Sequence, residues 1–499
     1  MLFNSIDFII FFPAVLIIYY VLPKRMRQYW LLLSSYYFYM CWNVKYAILI
    51  LASTVITYIS GLVIEKVKGN EVLSAKKREI IGRLALVLCL VSNLSILIFF
   101  KYTNFLLNLI ADAGTLFRLD ISIPVFDIIL PVGISFYTFQ ALGYTIDVSR
   151  DTISAEKNFF KYALFVSFFP QLVAGPIERS KKLLTQLDTP KNFDFSRLRE
   201  GIYTMLWGYF LKIVIADRIA IFVDTVYGDF VTFSGYYLIV ATVLFGIQIY
   251  CDFYGYSTIA VGASHILGIE LMENFHSPYL SASVSEFWRN WHISLTSWFR
   301  DYLYIPLGGN KKGKVRKYIN ILLVFLVSGL WHGANLTFVV WGGINGFYQI
   351  AGEILAPIRK KVIDVLRLTQ DAISVRALRV VTTFVLVDFS WIFFRADTLY
   401  DAARIVHRIM VADNIWILVN GSLNACGLDN GNLIVLCLSI GILFFADICK
   451  KRGINIRAIL LEQPYICRCF CLVLCILTIL VLGKWGPAFD KNAFIYFQF

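Results

Sequence analysis

Five histidines occur in the 499 residues: His265, His276, His292, His332 and His407. Imidazole is the side chain whose ordinary pKa lets it take and give a proton near pH 7, so these positions bound where general acid–base chemistry can sit. Two have unusual surroundings. His332 lies in LVSGLWHGANLTFVVWGG, read here as the middle of an apolar span, where an ionisable residue is costly and marks a functional site by default. Gly329, Gly333 and Ala334 beside it let a substrate or another backbone approach closely. Position alone leaves two readings open, a reactive imidazole and a core histidine satisfied by a polar neighbour. His292 lies in SEFWRNWHISLTSWFRDYLYIPLGGN, among Trp288, Arg289, Trp291, Trp298, Arg300 and Asp301. That stretch fits either a polar chamber or an interfacial helix anchored by aromatics. Asp252, in QIYCDFYGYS, is a second ionisable group in an apolar run; it could orient a histidine, cap a broken helix or carry ions. His265, His276 and His407 fit surface or structural roles.

Other chemistries find no motif. There is no G-x-S-x-G, no HExxH and no Walker A loop. The ten cysteines make no metal pattern, and Cys467, Cys469, Cys471 and Cys475 fall in or beside an apolar run as small packing residues. No metal is expected, and no nucleic-acid motif accompanies the net charge of +13.

The elements that must position these residues are membrane helices. The chain is 59% hydrophobic and only 16% charged, too little charge to cover a soluble protein of this length. Apolar runs of roughly 17–25 residues, enough for a ~30 Å hydrocarbon core, recur from end to end. They fall near 6–22, 29–42, 44–64, 84–100, 102–117, 128–146, 159–174, 202–222, 237–267, 319–341, 380–394, 433–445 and 471–482. The first is expected to be a retained span rather than a cleavable signal, since its basic cluster follows it. Runs 128–146 and 159–174, broken by Pro131, Gly133, Gly143 and the FFPQLVAGP sequence, are candidate re-entrant or cavity-lining segments. Lys and Arg gather at 24–27, 65–83 and 311–317, which predicts those segments in the cytoplasm and the N-terminus outside. The 357–379 connection carries apolar residues at helical spacing and reads as an amphipathic interfacial helix. No internal repeat is found, and one membrane domain is expected to fill residues 1–499.

At FVSFFPQLVAGPIER, IQIYCDFYGYSTIAVG, FWRNWHISLTSWFRDYLYIPLGGN and SGLWHGANLTFVVWGGINGFY the sequence closely resembles the membrane-bound O-acyltransferase (MBOAT) superfamily, in its AlgI-type branch of alginate and polysaccharide O-acetyltransferases. The opening MLFNSIDFIIFF, the motif WIFFRADTL and the terminal FIYFQF are similar to that branch as well, so the resemblance covers essentially the whole chain. Cys251 and Tyr254 are small departures from it. The resemblance implies an all-α polytopic fold of roughly 11–13 transmembrane helices, plus re-entrant and interfacial helices, around a central tunnel. It implies His332 as the catalytic histidine and His292 as the second; Trp331, Asn335, Trp288, Arg289, Asp301, Asp252 and Gln171 are candidate tunnel and substrate contacts. It further implies a cytoplasmic acyl donor, acetyl-CoA or an acyl carrier, and an extracytoplasmic acetyltransferase partner. The acceptor would be a polysaccharide or cell-wall polymer, and the setting a multi-pass protein among the lipids of the cell membrane. The rival reading is a secondary transporter or polysaccharide-export subunit, which would share broken helices and a buried Asp252.

Overall fold

The computed structural model describes residues 1–117, 124, 126, 128, 130–173, 175–367, 369 and 372–485. The terminal FIYFQF lies outside them. The described residues form helices joined by turns, with no strand. Six helices are long and apolar enough to cross a membrane: Tyr46–Lys68, Ala75–Thr115, Gly235–Ile266, Ile373–Arg395, Asn430–Lys451 and Tyr465–Leu482. Other apolar runs form shorter or more polar helices; Ile6–Val21, capped by the Ser5 hydroxyl accepting from the Phe8 amide, has sixteen residues.

The chain divides into two compact units, Met1–Ile202 with Ala260–Met272, and Tyr203–Ile259 with Glu273–Phe499. In the first, Lys24–Met40, Tyr46–Lys68, Ala75–Leu116, Ile134–Ser149 and Phe159–Ser167 pack together. Buried polar groups tie them, Ser53 Oγ donating to Asn93 Oδ1 at 2.6 Å and Tyr162 Oη to Thr57 Oγ1 at 2.7 Å. Two expectations change here. The runs 84–100 and 102–117 are one continuous 42-residue helix, because no proline or glycine stands between them to stop it. The Pro131–Gly133 turn ends before Ile134, after which the helix runs unbroken through Gly143 to Ser149. The 159–174 run does break, at Phe168, into a nine-residue helix and a single turn, Phe169–Leu172.

In the second unit, the run expected as one span at 319–341 folds as two antiparallel helices, Lys314–His332 and Leu336–Ile354. Gly333 is extended, with φ −156° and ψ 150°. Asn335 then caps the second helix, its Oδ1 accepting from the Thr337 amide at 3.1 Å. A Cβ at Gly329 would collide with the Phe338 carbonyl and one at Gly333 with the Phe338 ring, so the hairpin closes only because both are glycine. Its far end is fixed by the ion pair of Lys317 with Glu353 at 2.6 Å. Ile373–Arg395 packs alongside Leu336–Ile354. The 357–379 connection contains a helix, Ala356–Val365, with no buried residue; Ile358, Val362 and Val365 are exposed on it.

Candidate active site

His332 is the last residue of Lys314–His332, not the middle of a span. The hairpin turn buries it, leaving 5% of its surface exposed. Aromatic rings meet it edge-on: Trp331 at 4.9 Å, Trp341 at 5.1 Å and Phe394 at 5.5 Å between ring centroids. Trp341 lies on the second helix of the hairpin, and Phe394 on Ile373–Arg395, one turn after Trp391, which stacks on Trp341 at 5.6 Å. Three helices therefore contribute to one aromatic box around the imidazole. Such a box excludes water and strengthens any proton transfer or charge stabilisation within it.

His292 reaches the same wall from another direction. The 285–307 stretch is neither a span nor one interfacial helix. It breaks into Val284–Asn290 and Ile293–Phe299, with His292 at the elbow between them. Its φ of 44° is left-handed, uncommon for a residue with a Cβ and a mark of local strain that clusters at functional sites. The start of the second short helix is held by Asn274, whose carbonyl accepts from the Ile293 amide at 3.0 Å and whose Oδ1 accepts from the Ser294 amide at 3.2 Å. The His292 ring is fully buried, 4.6 Å from Phe253 and 6.0 Å from Trp331. Burial alone pushes its pKa down, to about 3, so the imidazole stays neutral at physiological pH. Trp331 thus stands between the two histidines, touching both.

The remaining sequence candidates divide. Trp288 joins the wall: its ring lies 5.6 Å from Trp341 and its Nε1 donates to Asn345 Oδ1 at 3.2 Å. Asn345 Nδ2 in turn donates to the Trp341 carbonyl and to Ser390 Oγ, locking three helices behind the box. Asn335 is a clamp, donating to the Asp397 carbonyl at 2.7 Å and so tying the His332 turn to the end of Ile373–Arg395. The other candidates show other contacts. Arg289 is exposed. Asp301 is half-buried and pairs with Arg300 at 2.8 Å in a π-helical turn, Arg300–Tyr304. Gln171 belongs to the first unit and donates to the Phe165 carbonyl at 2.9 Å. Asp252 forms a buried ion pair. A π-helical stretch, Phe210–Ala216, turns Lys212 inward, and its ammonium lies 2.6 Å from Asp252 and 2.8 Å from Asp217, all three side chains buried. An apolar groove of about 480 Å³, lined by Leu326, Val339, Gly343, Phe347 and Phe389 among others, contains none of these residues.

Sequence reasoning missed Trp341, Asn345, Trp391 and Phe394. Their signal was present as the i, i+4 pair Trp341–Asn345 and the i, i+3 pair Trp391–Phe394, which share helix faces. It becomes readable only once the hairpin turn at 333–335 is known.

Residues 147–386 match the model of the MBOAT, membrane-bound O-acyltransferase family, which includes both His292 and His332. The probable alginate O-acetylase AlgI of Pseudomonas putida is 34% identical, with each chain covered in full. That of Pseudomonas syringae pv. tomato is 36% identical over 91% of this chain and 83% of its own. The peptidoglycan O-acetyltransferase of Helicobacter pylori is 34% identical over 81% of this chain and 79% of its own. With its helical, multi-pass membrane architecture, the chain is a membrane acyltransferase that belongs to the membrane-bound O-acyltransferase family, in its alginate O-acetylase (AlgI) type.

Proposed function

We propose that this acyltransferase takes an acetyl group from a cytoplasmic thioester, acetyl-CoA, and passes it at His332 towards an extracytoplasmic acceptor for O-acetylation of a cell-surface polysaccharide or cell-wall polymer. The observation that carries this reading is the His332 turn: an imidazole buried at the end of a helix inside an aromatic box, with a second neutral imidazole across Trp331. His332 takes the proton of the acceptor hydroxyl as that oxygen attacks the thioester carbonyl. The C–O bond forms, the C–S bond breaks, and the thiolate leaves with a proton returned from the imidazolium. His292, neutral, hydrogen-bonds the substrate or the developing oxyanion. Direct acyl transfer through the His332 nitrogen is the alternative route for the same group. The basic segment at 311–317 attracts the donor's phosphates. Lys212 lies 2.6 Å from Asp252, and this buried ion pair supports reading Asp252 as structural rather than as an ion carrier.

A buried box admits a small acyl group on a flexible arm far more readily than a polymer, so the proposal includes an exported acetyltransferase as relay, in the cell membrane, with the N-terminus outside. Peptidoglycan and alginate appear in the names of its relatives and stand as acceptor classes. The test is a reconstituted vesicle with acetyl-CoA supplied on the cytoplasmic face, and the measurement is acetyl on polymer outside. Acetylation only when an exported acetyltransferase is added supports the relay. Efficient acetylation by this chain alone contradicts it.

A further inference from the structure

A buried carboxyl oxygen stands beside the aromatic box with no hydrogen-bond partner among the described residues. Asp388 lies on Ile373–Arg395, 8% exposed, and among the described residues its Oδ1 meets no hydrogen-bond partner. Its surroundings are a slot. A Cβ placed on Gly246 would fall 2.8 Å from Asp388 Oδ1, 3.3 Å from Tyr279 Oη and 3.4 Å from Trp391 Cδ1. The Tyr279 hydroxyl is already engaged, donating to the Gly246 carbonyl at 2.6 Å and accepting from Trp391 Nε1 at 3.2 Å. The slot therefore supplies walls but, among the described residues, no hydrogen bond to this oxygen. An unpaired buried carboxyl opposes folding by several kcal/mol, and inside a membrane helix such a group marks a substrate path.

The helix fixes where on that path it lies. Asp388, Trp391 and Phe394 occupy successive turns of one face, and Phe394 touches His332. At 1.5 Å rise per residue, Asp388 sits about 9 Å along the axis from Phe394 and about 13 Å from Arg379 in the other direction. Because Phe394 packs on Phe338 and Trp341, at the start of Leu336–Ile354, the opposite end of these helices is where Lys314, Arg316, Lys317, Arg376 and Arg379 collect. Asp388 thus stands between a cationic end and the imidazole.

We propose that Asp388 binds the acyl donor, its carboxyl hydrogen-bonding an amide of the pantetheine arm while the phosphates sit at the basic end and the thioester lies against His332. A carboxyl suits an amide because it accepts from N–H when ionised and donates to C=O when protonated. This rests on the reading of a pantetheine thioester as donor, and no bond is made or broken at Asp388.

The experiment compares two donors on the reconstituted full-length chain, following thiol release: acetyl-CoA, and S-acetyl-2-mercaptoethanol, which has no amide. Asp388→Leu should raise the KM for acetyl-CoA at least tenfold with kcat within threefold. It should leave the amide-free donor unchanged and leave the thermal midpoint equal or higher, since it removes an unpartnered buried carboxyl. Asp388→Asn, which keeps an amide-binding group, should restore KM to within threefold of wild type. An unchanged KM for acetyl-CoA in Asp388→Leu, or an equal loss on both donors, overturns the assignment while leaving the proposed function standing. If the leucine variant does not fold, Asp388→Ala is put through the same donor comparison, with the same outcomes deciding. Wild-type protein that turns over neither thioester overturns the functional reading and this inference with it.

Discussion

Asp252 and Asp388 are both buried on helices able to cross a membrane, yet the regions around them are built on opposite terms. Around Asp252 the chain supplies its own counter-charge: a π-helical turn brings Lys212 to 2.6 Å, and Asp217 completes the cluster. Around Asp388 lie the Tyr279 hydroxyl and the Trp391 ring, both already engaged with each other, and among the described residues its Oδ1 meets no hydrogen-bond partner. A region that satisfies its own polar groups holds the fold. A region that leaves a buried carboxyl oxygen without a hydrogen bond keeps bonding capacity for something that arrives later.

The contrast can be broken first at Lys212. Lys212→Met leaves two carboxylates buried without their cation, and unpairing a buried charge costs about 3–5 kcal/mol. Folded yield and the thermal midpoint in detergent should fall sharply. Asp252→Asn should cost less, because Lys212 keeps Asp217. A reversed ranking, or a stable Lys212→Met protein, would show that the cluster is not structural.

On the other side of the comparison, His292→Ala should slow acyl transfer by about 10²-fold, the scale on which a misplaced group acts, with the protein still folded. A rate within threefold of wild type would remove His292 from the site. Asn345→Val tests the frame behind the aromatic box. It deletes the bonds to Trp288 and Ser390 and should cost about 1–3 kcal/mol as their partners lose satisfaction; an unchanged thermal midpoint would contradict this. The smallest effect is on pH. The His292 pKa is depressed in the fold, so below its ordinary value of about 6.5 the unfolded chain binds a proton the folded one does not. That contribution is fully present above pH 6.5 and is lost as pH falls towards 3. His292→Gln should therefore flatten the decline of the thermal midpoint between pH 7.5 and 5.0, and an unaltered slope would mean the imidazole is not held neutral.

How much of this the sequence carried differs between the two regions as well. The two histidine motifs and the helical membrane class were legible, because motif spacing and apolar run length survive without tertiary knowledge. The aromatic box was not. Reading 319–341 as one span hid the turn at Gly333 and Asn335, and without that turn Trp341 and His332 appear far apart. The ion pair of Asp252 was not legible, because Lys212 is remote in sequence and reaches it through a π turn that no hydrophobic period reveals. Asp388 carried no motif, and its isolation is visible only in three dimensions.

The most direct test is acyl transfer per folded molecule, from acetyl-CoA, in wild type, His332→Ala and Lys212→Met samples whose thermal midpoints are measured in parallel. Loss of a general base typically costs ~10²–10⁴-fold in rate. The account predicts that loss for His332→Ala at an unchanged midpoint, with Lys212→Met showing the opposite pattern, a lowered midpoint and near-normal transfer in the fraction that remains folded. Near-normal transfer by folded His332→Ala would contradict it.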